Sequence, residues 1–304
     1  SDLTRLRERI LRDNARLVTL VGPPGIGKTS LAIEFASRHA QAFADGVFFV
    51  NLAPITQPEL APLAILHALG VSNETNQPAL QTLRFALRDR RALLILDNFE
   101  QVLDAAPFVA DLLAECHDVR VLVTSQAVLG IRGERQISVG PLGNEDALML
   151  FVERAQASDA TFALTELNRA AIVTICRILD NLPLGIELAA SWVGILSCDE
   201  IAREISRDLD FVATTMRDLP ERQRSLRAAF EHSWRLLSPG EQHTLVNLSI
   251  FRGGFTREAA HAVAGAAIEM LARLLAKALI RRADADRFDI HEFIRFYATE
   301  KRAG

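Results

Sequence analysis

Residues 16–40 read RLVTLVGPPGIGKTSLAIEFASRHA, and this stretch decides the fold. An apolar run suited to a buried strand leads into GPPGIGKT at 22–29, and a run with helical periodicity follows it. The octapeptide matches G-x-x-x-x-G-K-[ST] in full, in the strand–loop–helix setting that a phosphate-binding loop requires. Gly22, Gly25 and Gly27 allow a tight turn whose N–H groups point inward as an anion nest at a helix N-terminus. Lys28 brings a positive charge to the β- and γ-phosphates, and the Thr29 hydroxyl suits a magnesium ligand. The expected cradle comprises Gly22, Pro23, Pro24, Gly25, Ile26, Gly27, Lys28, Thr29 and Ser30, with ATP or ADP and Mg²⁺ as its ligands.

Magnesium at such a loop also needs an acid from a neighbouring strand. LLILDNFE at 93–100 offers four apolar strand residues ending in Asp97, at the strand's C-terminal end, where ligands sit in open α/β sheets. Asp97 is therefore the expected magnesium-facing carboxylate. Asn98 and Glu100 follow it, and either can position a water. Asn98 cannot act as a general base, whereas Glu100 can if the turn brings it round. The strand RVLVT ends in Thr124, Ser125 and Gln126, polar residues at the edge where a γ-phosphate can be sensed.

Working outward, strands are expected at 17–21, 47–51, 92–96, 120–124 and 136–139, each rich in Val, Ile, Leu or Phe as strands buried on both faces must be. Helical stretches alternate with them, the pattern of a parallel sheet covered by helices. After Pro141 the strand signal stops. Segments 145–156, 166–179, 184–196 and 198–209 read as amphipathic helices, with Asn144 and Thr165 as caps. A third unit starts near Pro220. It has a helix at 222–237, a capping box from Ser238 to Glu241, helices at 256–264 and 266–280, a hairpin from 279–282 and 287–290, and a helix at 291–302. The expected fold is an α/β P-loop NTPase domain with a parallel sheet of the ASCE type (1–143), then a helical domain (144–216) and a winged-helix domain (217–304).

The composition is that of a globular chain: 304 residues, 49% hydrophobic and 24% charged. A net charge of −4 gives no global pull toward nucleic acid or acidic membranes. Cys116, Cys176 and Cys198 lack zinc spacing and read as buried reduced thiols of a cytosolic protein. The charged start SDLTRLRERI is no signal peptide, and the longest apolar run, 182–196, contains Glu187 and falls short of a membrane span. A cytoplasmic protein is expected. Arg132 and Arg135 in GIRGERQ are candidate phosphate or neighbour-subunit contacts, with ion pairing to Glu134 and other surface acids the favoured reading.

GPPGIGKTSLA, LLILDNFEQV, VLVTSQ followed by GIRGE, NLPLGIELAA, and RQRSLRAAFEHSWRLLSPGEQ followed by LSIFRGGFT occur in that order over nearly the whole chain. In this the sequence resembles the signal-transduction ATPases with numerous domains (STAND), the class that holds the NB-ARC ATPases, and within it the ATPases of bacterial multidomain transcriptional regulators. The resemblance implies three domains closing around ADP. It assigns Pro183 of the GLPL-type motif to the adenine, with Asn181 where glycine is usual. It matches Ile290, His291 and Glu292 to the Met-His-Asp motif, whose histidine reaches the β-phosphate. Gln126 stands where the family usually has arginine, and Asn98 replaces the second acid; both imply slow turnover. The family's Gly-Arg-Glu motif before the first helix is absent.

The resulting expectation is a molecular switch, closed with ADP and opening to form homo-oligomers with ATP, a weak ATPase rather than a fast one. Effector and sensor domains are expected outside these residues. A continuously cycling ATPase is the alternative. A DNA-binding winged helix is disfavoured, because 266–280 carries only Glu269, Arg273 and Lys277 as charges and reads as packed against protein.

Overall fold

The computed structural model of the chain describes residues 2–72, 78–208, 211–212, 225–284 and 286–303. The boundary at 216/217, the start of the helix expected at 222 and most of the basic stretch 217–227 lie outside the described residues, as does most of the polar interruption at 73–78. The chain divides into two compact units, one of Ser1–Gly22 with Lys28–Val139, the other of Pro23–Gly27 with Gly140–Gly304.

The first unit is built on five strands, β1 (Leu17–Val21), β2 (Val47–Asn51), β3 (Leu93–Asp97), β4 (Arg120–Ser125) and β5 (Glu134–Ser138). Their order is β2-β3-β4-β1-β5, and every neighbouring pair is parallel. Helix α1 (Asp2–Arg7) precedes β1, and the crossovers that parallel neighbours need carry α2 (Lys28–His39), α3 (Ala61–Ala68), α4 (Ala79–Leu87) and α5 (Ala106–Glu115). The acidic strand β3 does not touch the P-loop strand β1, because β4 lies between them. Leu94, Leu96, Val121 and Val123 form a core with Ile65, Leu83, Val109 and Leu112 of the helices.

The expectation that all five strands are buried on both faces holds for β1 and β3, and for β4 beyond its first residue. It fails for β2 and β5, where only Val50 and Ile137 are buried, because these are the two edges of the sheet.

The second unit begins with α6 (Asn144–Ser158), α7 (Glu166–Ile178), α8 (Pro183–Ala190) and α9 (Cys198–Arg207), with α6 on α8 and α7 on α9. Thr165 caps α7 in a full capping box, as expected. Asn144 does not cap α6: Gly143 takes that position, and the Asn144 side chain accepts from Asn181 Nδ2 at 3.0 Å. The helix expected to reach 196 stops at Ala190, where Trp192 and Val193 donate to carbonyls three residues back and tighten the chain into turns.

Next come α10 (Leu226–Arg235), α11 (Pro239–Leu248), β6 (Phe255–Thr256), α12 (Arg257–Ala264), α13 (Ile268–Ala276), β7 (Arg281–Asp284), β8 (Arg287–Asp289) and α14 (Glu292–Ala303). The expected hairpin is β7–β8. Sequence reading missed β6, which makes a third antiparallel strand beside β8. Helix α13 is shorter than expected because Ala278 turns left-handed at φ 53° and sends the chain into β7. Phe230 packs edge-on to Phe293 and Tyr297, joining α10 to α14. Cys116, Cys176 and Cys198 are buried and free, and burial raises the Cys176 thiol pKa to about 12. Among the described residues no single helix is long and apolar enough to cross a bilayer.

Candidate functional site

Within the first unit, Thr29 on α2 donates from its hydroxyl to Asp97 Oδ1 at 2.7 Å. Thr124 at the end of β4 donates to the same oxygen at 2.6 Å, and Asn98 Nδ2 donates to Asp97 Oδ2 at 2.5 Å. The Asn98 backbone N–H in turn donates to Thr124 Oγ1 at 3.0 Å. Asp97 is thus 4% exposed but held by three side chains at the C-terminal edge of the sheet. Thr124, at the edge where a γ-phosphate can be sensed, orients Asp97 through its hydroxyl.

A hydroxyl and a buried carboxylate on adjacent elements are the hard oxygen ligands magnesium prefers, with phosphates and waters completing its shell. Thr29 and Asp97 therefore fit the ion. Among the described residues no group of three His, Cys, Asp or Glu could hold a metal by itself. Lys28 folds back on the loop, donating from Nζ to the Gly22 carbonyl at 2.8 Å.

The turn after β3 brings Glu100 round. Asn98 is left-handed at φ 61°, and the 3₁₀ segment Phe99–Ala105 carries Glu100 to the end of β4. There its carboxylate accepts from the Gln126 backbone at 3.3 Å and from Gln126 Nε2 at 3.2 Å, with both residues buried. Gln126, where an arginine was the family expectation, is a partner of Glu100. The Ser125 hydroxyl accepts from Ala127 N–H at 3.1 Å and so shapes this turn. The expected pairing of Arg132 and Arg135 with Glu134 does not form. The Glu134 carboxylate accepts instead from the backbone N–H groups of Leu129 and Gly130, at 2.9 and 3.0 Å.

Within the second unit, Gly25 and Gly27 are left-handed at φ 75° and 93°, while Gly22 is not among the left-handed glycines. Leu184, the second residue of α8, donates its N–H to the Gly25 carbonyl at 3.1 Å. A Cβ on Gly25 would lie 2.8 Å from Leu184 Cβ, and one on Gly27 would lie 3.7 Å from Pro183 Cγ. Pro23, Pro24, Leu182, Phe293 and His291 line one narrow apolar cleft. His291, just before α14, is 4% exposed, and its Nδ1 lies 2.5 Å from Asp180 Oδ2. Burial alone would raise the Asp180 pKa, but the bond and charge of His291, together with Arg281, outweigh it and hold the carboxyl below the usual range. Asp180 escaped sequence reading, although it stands next to the NLPL motif.

Residues 11–131 match the AAA domain family. Over 305 residues the chain is 36% identical to "Putative HTH-type transcriptional regulator Rv0890c" of Mycobacterium tuberculosis, covering 96% of this chain and 34% of that protein. It spans about a third of the length of this relative. Among solved structures, the ORC2 protein of Aeropyrum pernix is similar in fold, with a TM-score of 0.57 and 14% identity over 100% of this chain and 93% of that one. A STAND protein of Pyrococcus horikoshii with a tetratricopeptide repeat sensor aligns with a TM-score of 0.41 and 17% identity, over 98% of this chain and 42% of that one. The P-loop, the acid on a strand separated from it by β4, and the family match together identify residues 11–131 as a P-loop ATPase domain of the AAA type.

Proposed function

We propose that the chain is the nucleotide-dependent switch of a STAND-type regulator. It holds ADP with magnesium in its resting form, self-associates with ATP, and hydrolyses ATP slowly to reset. The observation that carries this reading is the packing of Pro23–Gly27, the heart of the phosphate loop, with residues of 140–303: Leu184 bonded to Gly25, and His291 sharing a cleft with Pro23 and Pro24. A loop that binds phosphate and also contacts these residues can transmit whether a γ-phosphate is present, provided the two states differ in their contacts. Lys28, Thr29 and Asp97 bind the phosphates and Mg²⁺. Pro183 and His291 read the bound nucleotide. Glu100, tied to Gln126, is the candidate base, and Asn98 cannot replace it.

Within this reading residues 144–216 and 217–304 act as a helical and a winged-helix domain. The name of the mycobacterial relative supports a transcriptional regulator; within this reading the protein is cytoplasmic, with effector and sensor domains outside these residues. The reading that this part of the chain does not contact DNA is supported by Lys277 of the expected recognition helix, which pairs with Glu241 at 2.7 Å.

The test is the nucleotide carried by the purified chain, released by denaturation and separated by ion exchange. Near-stoichiometric ADP is expected. An empty site that turns over added ATP at many cycles per second would replace the switch with a cycling ATPase.

A further inference from the structure

We propose that Asp180 is the positioning residue for His291, and that the turn 180–184 couples the phosphate loop to that histidine. This rests on the nucleotide reading above and adds a residue and a route to it.

The turn is unusual in its backbone. Asp180 and Asn181 are both left-handed, at φ 53° and 52°, a conformation that L-residues other than glycine adopt at a cost. Asn and Asp tolerate it best, and the surroundings hold it in place. Asp180 N–H donates to Arg177 O at 3.1 Å and Asn181 N–H to Cys176 O at 2.8 Å. Asn181 Nδ2 donates to Leu142 O at 3.1 Å, and Leu142 N–H returns a bond to Asn181 O at 3.2 Å. Asn181 thus does the conformational work of a glycine and adds an anchor that glycine lacks.

The strained turn points the Asp180 carboxylate at His291, 111 residues away in sequence. Asp180 Oδ2 also lies 3.7 Å from Arg281, which is 3.0 Å from Asp289, itself 3.0 Å from Arg295. An ionised carboxylate cannot donate, so the proton between the two groups sits on Nδ1 of the imidazole. Nε2 is then the nitrogen left to face a phosphate, and it donates to one only when it too carries a proton, the ring then being an imidazolium whose charge the Asp180 carboxylate balances. Four residues on from Asp180, Leu184 holds the Gly25 carbonyl. One short turn therefore contacts the phosphate loop at one end and orients His291 at the other. A shift of the Gly25 peptide on nucleotide exchange reaches the imidazole through five residues of chain.

Two measurements on the 304-residue chain decide the matter. The first is dissociation of a fluorescent ADP analogue from wild type, Asp180→Asn, Asp180→Gly, His291→Ala and the double variant Asp180→Asn/His291→Ala. Asn and Gly both accept the left-handed backbone, so the carboxylate is removed without strain. Each single variant is expected to release ADP about tenfold faster, and the double variant no faster than His291→Ala alone, because Asp180 acts through His291. Singles at the wild-type rate, or additive effects in the double, overturn the proposal. The second is the ¹⁵N spectrum of the His291 ring, which reports Nδ1–H in wild type and a mixture of tautomers in Asp180→Asn. An unchanged ring in Asp180→Asn also overturns the proposal. A wild-type chain that binds no ADP sinks the nucleotide reading, while the ring spectrum still tests the Asp180–His291 pairing.

Discussion

At the scale of single residues, the loop at 22–29 is constrained twice over. Gly25 is left-handed, and a side chain there would also strike Leu184. Gly25→Ala is expected to lower stability by about 1–3 kcal/mol, combining backbone strain with a clash, as read from chemical denaturation. Lys28→Ala gives up the bond to the Gly22 carbonyl and removes the charge facing the phosphates, so nucleotide affinity is expected to fall by at least about tenfold in a fluorescence titration. Asp97→Asn separates metal from nucleotide. The gain in ADP affinity on adding magnesium is expected to vanish, while binding in EDTA stays near wild type. The placement of Lys28 at the start of α2 and of Asp97 at the end of β3 was legible in the sequence, because short local motifs carry both. The bond from Thr124 to Asp97 was not, since residues 27 apart meet only when β3 and β4 pair.

At the scale of elements, the start of α11 shows both kinds of information in one place. The capping box between Ser238 and Glu241 was legible from four residues, and it forms as expected. Glu241 is nevertheless 4% exposed on its side chain, and Lys277 reaches it from just beyond α13 at 2.7 Å. Sequence reading counted Lys277 with Glu269 and Arg273 as the charges of one helix, because helical periodicity describes a face but not what covers it. Burial alone would raise the Glu241 pKa; Lys277 and Ser238 outweigh it and lower the value. A lowered folded pKa means that the carboxylate's stabilisation is present above the unfolded value, near 4.3 for Glu, and is lost as the pH falls through the folded one. Glu241→Gln is therefore expected to cost about 1–3 kcal/mol at pH 7. The gap from wild type should close in acid, which urea denaturation at a series of pH values will read.

At the scale of the whole molecule, the switch reading predicts a size change. Sedimentation is expected to give a smaller species with MgADP than with MgATP, and ATP turnover well below the roughly 1 s⁻¹ at the slow end of ordinary enzymes. Identical sedimentation in both nucleotides would remove the basis for self-association. The bonds between Glu100 and Gln126 bear on the rate, because they fix where the carboxylate stands while leaving a lone pair on each oxygen for a water.

Local chemistry written into short stretches of sequence determined much of this protein by itself: the phosphate loop, the acid at the end of β3, the helix caps at Thr165 and Ser238, and the alternation that makes a parallel sheet. Each depends on neighbours within a few residues, where steric and hydrogen-bonding preferences act directly. Only the tertiary structure decided which strands are edges, that Glu100 bonds to Gln126, and that Asp180 meets His291. Those pairings join residues between 26 and 111 positions apart. They are set by how the elements pack and by two left-handed residues after α7, which no local pattern announced.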